Sequence, residues 1–134
     1  MKLDLNDPKI ALIHGALIEV LEKHDAAKVP QYFTEDAVMI LNEKKLQGSK
    51  EIANRIAWVK ENIHAVKVKL HNTFFVGDEG FDHHTTELIE KNGKRCLYKI
   101  FGYTQIRDGK IARYEDVTIQ VAGEEAMGNV TSTT

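Results

Sequence analysis

The sequence predicts an α+β fold: a cone-shaped, curved antiparallel sheet with three N-terminal helices over its concave face. Two observations predict it. Apolar residues recur at helical spacing as far as Asn62 and with a period of two after it. The second half is then cut into long strands by three turns, Gly77-Asp78-Glu79-Gly80, Lys91-Asn92-Gly93-Lys94 and Asp108-Gly109. Helices followed by an antiparallel meander define the α+β class. A curved sheet with helices across its hollow side encloses a cavity with a mouth, a common form of ligand site.

Each element has a local cause. Asp7-Pro8 is a helix start, with an N-cap carboxylate and Pro at the first helical position. Ile10, Ile13, Leu17, Val20, Leu21 and His24 then share one face. Asp25 caps a short second helix whose apolar side is Val29, Tyr32 and Phe33, and Pro30 falls early enough to be tolerated. Thr34 to Asp36 is expected to turn the chain, and Ala37 to Asn42 to form a strand. Glu43-Lys44-Lys45 reads as solvated loop, Gln47-Gly48 as a turn, and Ser49 as the cap of a third helix. That helix directs Ile52, Ile56, Val59 and Ile63 inward, with Trp58 at its flank. Beyond it, Val66, Val68, Leu70, Asn72, Phe74 and Val76 alternate with Lys67, Lys69, His71, Thr73 and Phe75. Phe81 to Glu90, Arg95 to Ile106 and Lys110 to Val121 form the remaining strands, and Asn92-Gly93 favours a two-residue type I′ hairpin between the first two. The expected organisation is one domain over 1–134, with a core over 8–121 and a flexible tail over 122–134.

Composition narrows the function classes. Hydrophobic residues make up 43%, charged residues 28%, and the net charge is −2, so no strong field for nucleic acid or a membrane surface arises. No apolar run approaches the ~20 residues that span a bilayer. The opening MKLDLNDP has no signal-peptide core, and a cytoplasmic location is expected. The single Cys96 excludes an intramolecular disulfide and a cysteine-rich metal site. Phosphate loops, nucleophile elbows and zinc helices are not found, and no cofactor is expected.

Four motifs carry a resemblance: His24-Asp25 at a helix turn; Tyr32-Phe33-Thr34-Glu35-Asp36-Ala37 before the first strand; Gln47-Gly48-Ser49-Lys50-Glu51-Ile52 opening the third helix; and Asp108-Gly109-Lys110-Ile111 before the last strand. Over residues 8–121 the chain resembles the nuclear transport factor 2-like superfamily, in particular its SnoaL-like branch of polyketide cyclases and ketosteroid isomerase, which share a cystatin-like roll. The motifs are turns, caps and core anchors, and the fold hosts isomerases, cyclases, hydrolases, dehydratases and binding modules. Ketosteroid isomerase uses a Tyr on the first helix, a basic Asp after the first-strand motif and a protonated Asp on the penultimate strand. The matching positions are Leu17, Leu41 and Gly102 or Phe101, and none does that chemistry. The polyketide cyclases carry an acid/base Asp on the last strand, and the resemblance puts Asp116 in that place.

Tyr114, Asp116 and Thr118 share one face of the last strand, and the resemblance turns that face into the cone. A carboxylate there has a raised pKa and moves protons near neutral pH; the bland alternative is a rim Asp paired with Arg55, Arg95 or Arg113. His83 and His84 are adjacent on a strand, face opposite ways and cannot chelate one metal, so no metal site is expected. Register from the Asn92-Gly93 turn puts Phe81, His83, Thr85, Glu87 and Ile89 toward the cavity, where Glu87 would orient His83 as a base; the alternative is a polar stripe on the outer face. Tyr98 is assigned to the cavity with Cys96, Ile100, Gly102 and Thr104, and Gly102 leaves space for a ligand. Cys96 reads as a small buried hydrophobe. Trp58, Met39 and Leu41 are cavity wall or core, and Arg55 reaches the mouth or solvent.

The function expected is therefore cofactor-independent acid/base catalysis on a small, hydrophobic, oxygenated molecule. Asp116 and His83 are the catalytic candidates, and Tyr98, Tyr114, Glu87, Trp58, Leu41 and Arg55 the ligand-binding ones. The alternatives are a ligand-binding module without turnover and an interaction or assembly domain. The apolar Phe101 face of the sheet predicts a homodimer in each case.

Overall fold

Asp7 and Pro8 start the first helix in the computed structural model, which describes residues 3–123. The Asp7 carboxylate accepts from the Lys9 and Ile10 amides, donors that have no partner within the helix. Helix α1, Pro8–Gly15, continues directly as a π-helical segment, Ala16–Glu22. The wider π turns direct Ala16, Leu17 and Val20 into the interior. Asp25 accepts from the Ala27 amide and opens a 3₁₀ turn, Ala26–Lys28, that leads into α2, Val29–Tyr32. Helix α3, Ser49–Asn62, buries Ile52 and Ile56. Its N-cap is Gly48, at φ 88°, instead of the expected Ser49, and the Glu51 carboxylate reaches back to accept from the Gln47 amide.

The sheet has the strands β1 Phe33–Leu41, β2 Lys44–Gln47, β3 Ile63–Val76, β4 Glu79–Glu90, β5 Arg95–Arg107 and β6 Lys110–Gly123. Their order is β2-β1-β6-β5-β4-β3. Strands β3 to β6 form the expected antiparallel meander. Strand β1 joins β6 in parallel, so the sheet is mixed. Lys44 and Lys45, read as loop, form an edge strand against β1. Thr34–Asp36, read as a turn, lie within β1 as an irregular stretch between the Phe33–Ile111 and Val38–Arg113 pairs. Strand β6 continues two residues past its expected end; the rest of the expected tail, 124–134, lies outside the described residues.

Two registers depart from the sequence expectation, and both change which side chains face inward. The β4–β5 hairpin closes through a Gly93 amide bond to the Glu90 carbonyl and a Glu90 amide bond to the Lys94 carbonyl. Three residues, Lys91, Asn92 and Gly93, therefore span the turn, with Gly93 at φ 89°. A left-handed glycine ending a three-residue loop is a common hairpin geometry. The expected two-residue turn would set Tyr98 opposite Glu87; the observed one sets Tyr98 opposite Thr86, Ile100 opposite His84 and Gly102 opposite Asp82. A one-residue slip exchanges the two faces of a strand. In β3 an irregularity at His71 separates the Leu70–His84 and Asn72–His83 pairs. Beyond it Thr73 is buried while Phe74 and Val76 are exposed, reversing the expected alternation.

The core lies between the helices and the inner sheet face. Ile13, Leu17, Val20, Ile52 and Ile56 from the helical layer meet Val66, Leu88, Cys96, Tyr98, Ile100 and Ile111 from the strands. Replacing Asp7 by Ala is expected to lower unfolding free energy by about 1 kcal/mol, with Asp7→Asn close to wild type; urea denaturation checks both.

Candidate active site

The cone holds a cavity of about 90 Å³ between the π segment, α3 and the inner sheet face. That is room for about three waters at ~30 Å³ each, and less than the ~150 Å³ apolar cavity that takes up benzene. Most of the wall is apolar: Leu17 and Val20 on one side, Ile52 and Ile56 on another, Met39, Leu41 and Leu88 from the sheet. The polar side chains that reach it are His84, Thr86, Tyr114, Asp116, Thr118 and Arg55.

His84 and Thr86 come from the β4–β5 register just described, and Tyr114, Asp116 and Thr118 from β6. Asp82 and Asp116 flank Gly102 in one cross-strand row, and His84 and Thr118 flank Ile100 in the next. Asp82, His84 and Tyr114 are all buried. The Tyr114 hydroxyl donates to Asp82 Oδ2 at 3.2 Å, and the other oxygen, Oδ1, lies 2.6 Å from His84 Nδ1. Committing Nδ1 to the carboxylate fixes the ring and leaves Nε2 for the cavity that His84 lines. Gly102 is what permits this packing. A Cβ there would sit 2.3 Å from the Tyr114 hydroxyl oxygen and 2.5 Å from Asp82 Oδ2. The space expected for a ligand is occupied by the Tyr114–Asp82 bond.

Asp116 is held differently. Its Oδ1 accepts from the Asn42 amide at 3.3 Å and from the Thr118 hydroxyl at 3.1 Å. Asn42 sits at φ 56° just past the end of β1, a left-handed backbone that Asn tolerates. Its side-chain oxygen accepts from the Thr118 amide at 2.8 Å, and its amide also donates to the Asp116 carbonyl. Burial pushes the Asp116 carboxyl up from 3.8 to about 6; the Thr118 and Asn42 hydrogen bonds and the nearby His84 oppose the shift, and Asp82 adds to it. Burial, with the Asp82 and Asp116 carboxylates nearby, also holds the Tyr114 phenol well above its ordinary value, so it stays a donor.

The remaining expected site residues are distributed unevenly. Leu41 and Arg55 line the cavity; burial lowers the Arg55 guanidinium from its ordinary value. His83 and Glu87 do not reach the cavity. The three-residue turn puts them on the outer face, where His83 stacks on Phe101 at 4.8 Å and Glu87 approaches Arg95 at 3.8 Å. Tyr98 is buried on the inner face but is core and not wall, with its hydroxyl unpaired among the described residues. Trp58 is 38% exposed on the flank of α3, under the Arg55 guanidinium at 4.7 Å. Sequence reasoning missed Asp82, His84 and Asn42. Pairing β4 against the Cys96–Tyr98 face through a three-residue loop would have found the first two. Among the described residues no group of three or more His, Cys, Asp or Glu is placed to hold a metal ion.

A family model for the SnoaL-like domain matches residues 15–114. The chain belongs to the SnoaL-like family. Solved structures agree with that placement. A LEH-like epoxide hydrolase of M. tuberculosis superposes with a TM-score of 0.72 at 19% identity, over 84% of this chain and 83% of that one. TerC, co-crystallised with polyporic acid, gives 0.73 at 19% identity, over 84% and 92%. An NTF2-like protein of unknown function from Burkholderia pseudomallei gives 0.73 at 14% identity, over 96% and 99%. At such identities the likeness is one of fold. No curated protein matches the sequence. In this SnoaL-like chain, as in any fold shared by many activities, the site must be argued from its own side chains.

Two stability measurements check the site geometry. The native state holds the Asp116 proton more tightly than the unfolded chain does, so this residue's contribution makes stability fall as pH rises from about 4 to about 6 and leaves it low above that. Asp116→Asn is expected to match wild type near pH 4 and to be more stable at pH 7, by up to about 3 kcal/mol; denaturant titrations across this range check it. Gly102→Ala is expected to cost about 1–3 kcal/mol, because Tyr114 and Asp82 must separate; the same titration at pH 7 checks it.

Proposed function

We propose that this protein is a cofactor-independent enzyme that shifts protons on a small, hydrophobic, oxygen-bearing molecule held in the cone. The observation that carries the reading is a pair of titratable groups in an otherwise apolar cavity, kept in different environments. Asp116 is a carboxylate whose pKa burial has moved close to neutrality. The match to physiological pH makes a carboxylate an effective base without making it a permanent acid. His84 is oriented by Asp82, which is anchored in turn by Tyr114.

The roles follow from the geometry. Asp116 removes a proton from a carbon beside a carbonyl group, and the oxygen that gains charge lies against the His84 ring, which Asp82 holds in place through Nδ1. Enolisation of this kind is the step shared by isomerases and cyclases. The apolar wall keeps water away from the enolate and sorts substrates by shape. Arg55, on α3, would meet an anionic or strongly polar substituent at the same wall. The co-crystallisation of TerC with polyporic acid supports an oxygenated hydrophobic ligand in this fold. The LEH-like epoxide hydrolase is a neighbour whose reaction also involves an oxygenated substrate, and epoxides therefore belong in the substrate panel.

The test is a panel of hydrophobic cyclic ketones and epoxides, followed by NMR in D2O for enzyme-dependent α-deuteration, rearrangement or diol formation. Turnover is expected to fall by about 10²–10⁴-fold in Asp116→Asn. With a substrate in hand, kcat/KM is expected to rise with pH through a midpoint of about 6, as Asp116 loses its proton. Stoichiometric binding without turnover, unchanged in Asp116→Asn, would overturn catalysis and assign a holding role.

A further inference from the structure

Asn42 stands where a glycine would serve the backbone equally well. It follows the last residue of β1 and turns the chain toward β2 at φ 56°, a conformation that Gly adopts without a Cβ penalty and Asn tolerates. What the side chain adds is a bridge to β6. Its Oδ1 accepts from the Thr118 amide at 2.8 Å, and its Nδ2 donates to the Thr118 carbonyl at 3.4 Å. A carboxamide offers an acceptor and a donor, as a peptide unit does. Here it stands in for a further residue of β1 and extends the parallel pairing with β6 beyond the Leu41–Asp116 pair. The bridge pins the Asn42 backbone against Asp116. The Asn42 amide reaches both the Asp116 carbonyl, at 3.1 Å, and Asp116 Oδ1, at 3.3 Å. The Thr118 hydroxyl donates to the same oxygen at 3.1 Å. Among the described residues no hydrogen bond or ion pair engages Oδ2.

We infer that Asn42 is a positioning residue for Asp116: its side chain locks the end of β1 to β6, its backbone amide and the Thr118 hydroxyl occupy Oδ1, and Oδ2 is left to take the substrate proton. The inference rests on the reading of Asp116 as the base. It adds how that base is aimed and what limits its proton affinity. A hydrogen bond to the charged form of an acid favours that form. The Asn42 and Thr118 bonds therefore oppose the burial that raises the Asp116 carboxyl to about 6, and without them it would titrate higher. The other titratable groups around Asp116 and its cavity are Asp82 and His84 on β4, Tyr114 on β6 and Arg55 on α3. Glu43 and Lys44, which follow Asn42 in the chain, are exposed to solvent. A change confined to the Asn42 side chain alters none of these groups, so the titration of Asp116 reads the clamp.

Asn42→Gly is the informative variant, because it keeps the left-handed backbone and its amide and removes only the bridge. Carbon-13 NMR titration of the aspartate carboxyl groups of the full chain, with Asp116 assigned from Asp116→Asn, needs no substrate. The wild-type midpoint is expected at about 6, and that of Asn42→Gly at higher pH in a protein whose circular dichroism is unchanged. Thr118→Val removes the other donor to Oδ1 and is expected to shift the midpoint in the same direction. A midpoint that stays in place in folded Asn42→Gly would make the bridge structural only and overturn the inference. With a substrate in hand, Asn42→Gly is expected to lower kcat about tenfold at pH 6 with KM little changed, and the deficit to narrow as pH rises past the new midpoint. A loss confined to KM would overturn the positioning role as well. A shifted midpoint in a protein that turns over no substrate would uphold the clamp and count against catalysis alone.

Discussion

The register of β4 against β5 is the constraint on which the rest depends. Three residues in the turn, closed by Gly93 in the left-handed region, set His84 opposite Ile100 and Asp82 opposite Gly102. A turn shorter by one residue would send both side chains to the outer face and bring His83 and Glu87 inward. It would also break the row of Asp82, Gly102 and Asp116, in which a missing side chain admits the Tyr114 hydroxyl between two carboxylate-bearing strands. The polar lining of the cone thus rests on backbone geometry at a hairpin tip.

Inside the cone, two carboxylates receive different treatment. Asp82 is buried but has a tyrosine hydroxyl on one oxygen and an imidazole on the other. A buried acid so satisfied serves as an anchor. Asp116 accepts two hydrogen bonds on one oxygen while it faces an apolar cavity, and burial outweighs those bonds in setting its proton affinity. Keeping Asp116 charged at neutral pH therefore costs folding free energy. Strain of this sort is common where chemistry is done and is offset by the rest of the fold. The apolar packing of the π segment and α3 against the sheet supplies that offset.

The two faces of one sheet are specialised by the same alternation. Inward residues of β4 and β5 are buried and build the cavity floor and core, while every other residue on the same strands points to an exposed aromatic layer. A substitution on the outer face therefore leaves the cavity residues in place.

The sequence by itself determined the class of fold and its local punctuation. Asp7-Pro8, Asp25 and the turn at Asp108-Gly109 act through residues adjacent in the chain, and local hydrogen bonds and backbone preference decide them. The inward face of β5 with Cys96 and Tyr98 was legible because alternation there is uninterrupted, and that of β6 with Tyr114 and Asp116 because the resemblance points it into the cone. The irregularities were not. The extra residue in the Lys91–Gly93 loop, the break in pairing at His71 and the parallel insertion of β1 beside β6 each depend on how distant segments pack. Tertiary structure alone decided that His84 rather than His83 meets the cavity, that Asn42 grips Asp116, and that Gly102 makes room for Tyr114 rather than a ligand. A period of two is preserved by either register, so only the packed sheet could choose between them.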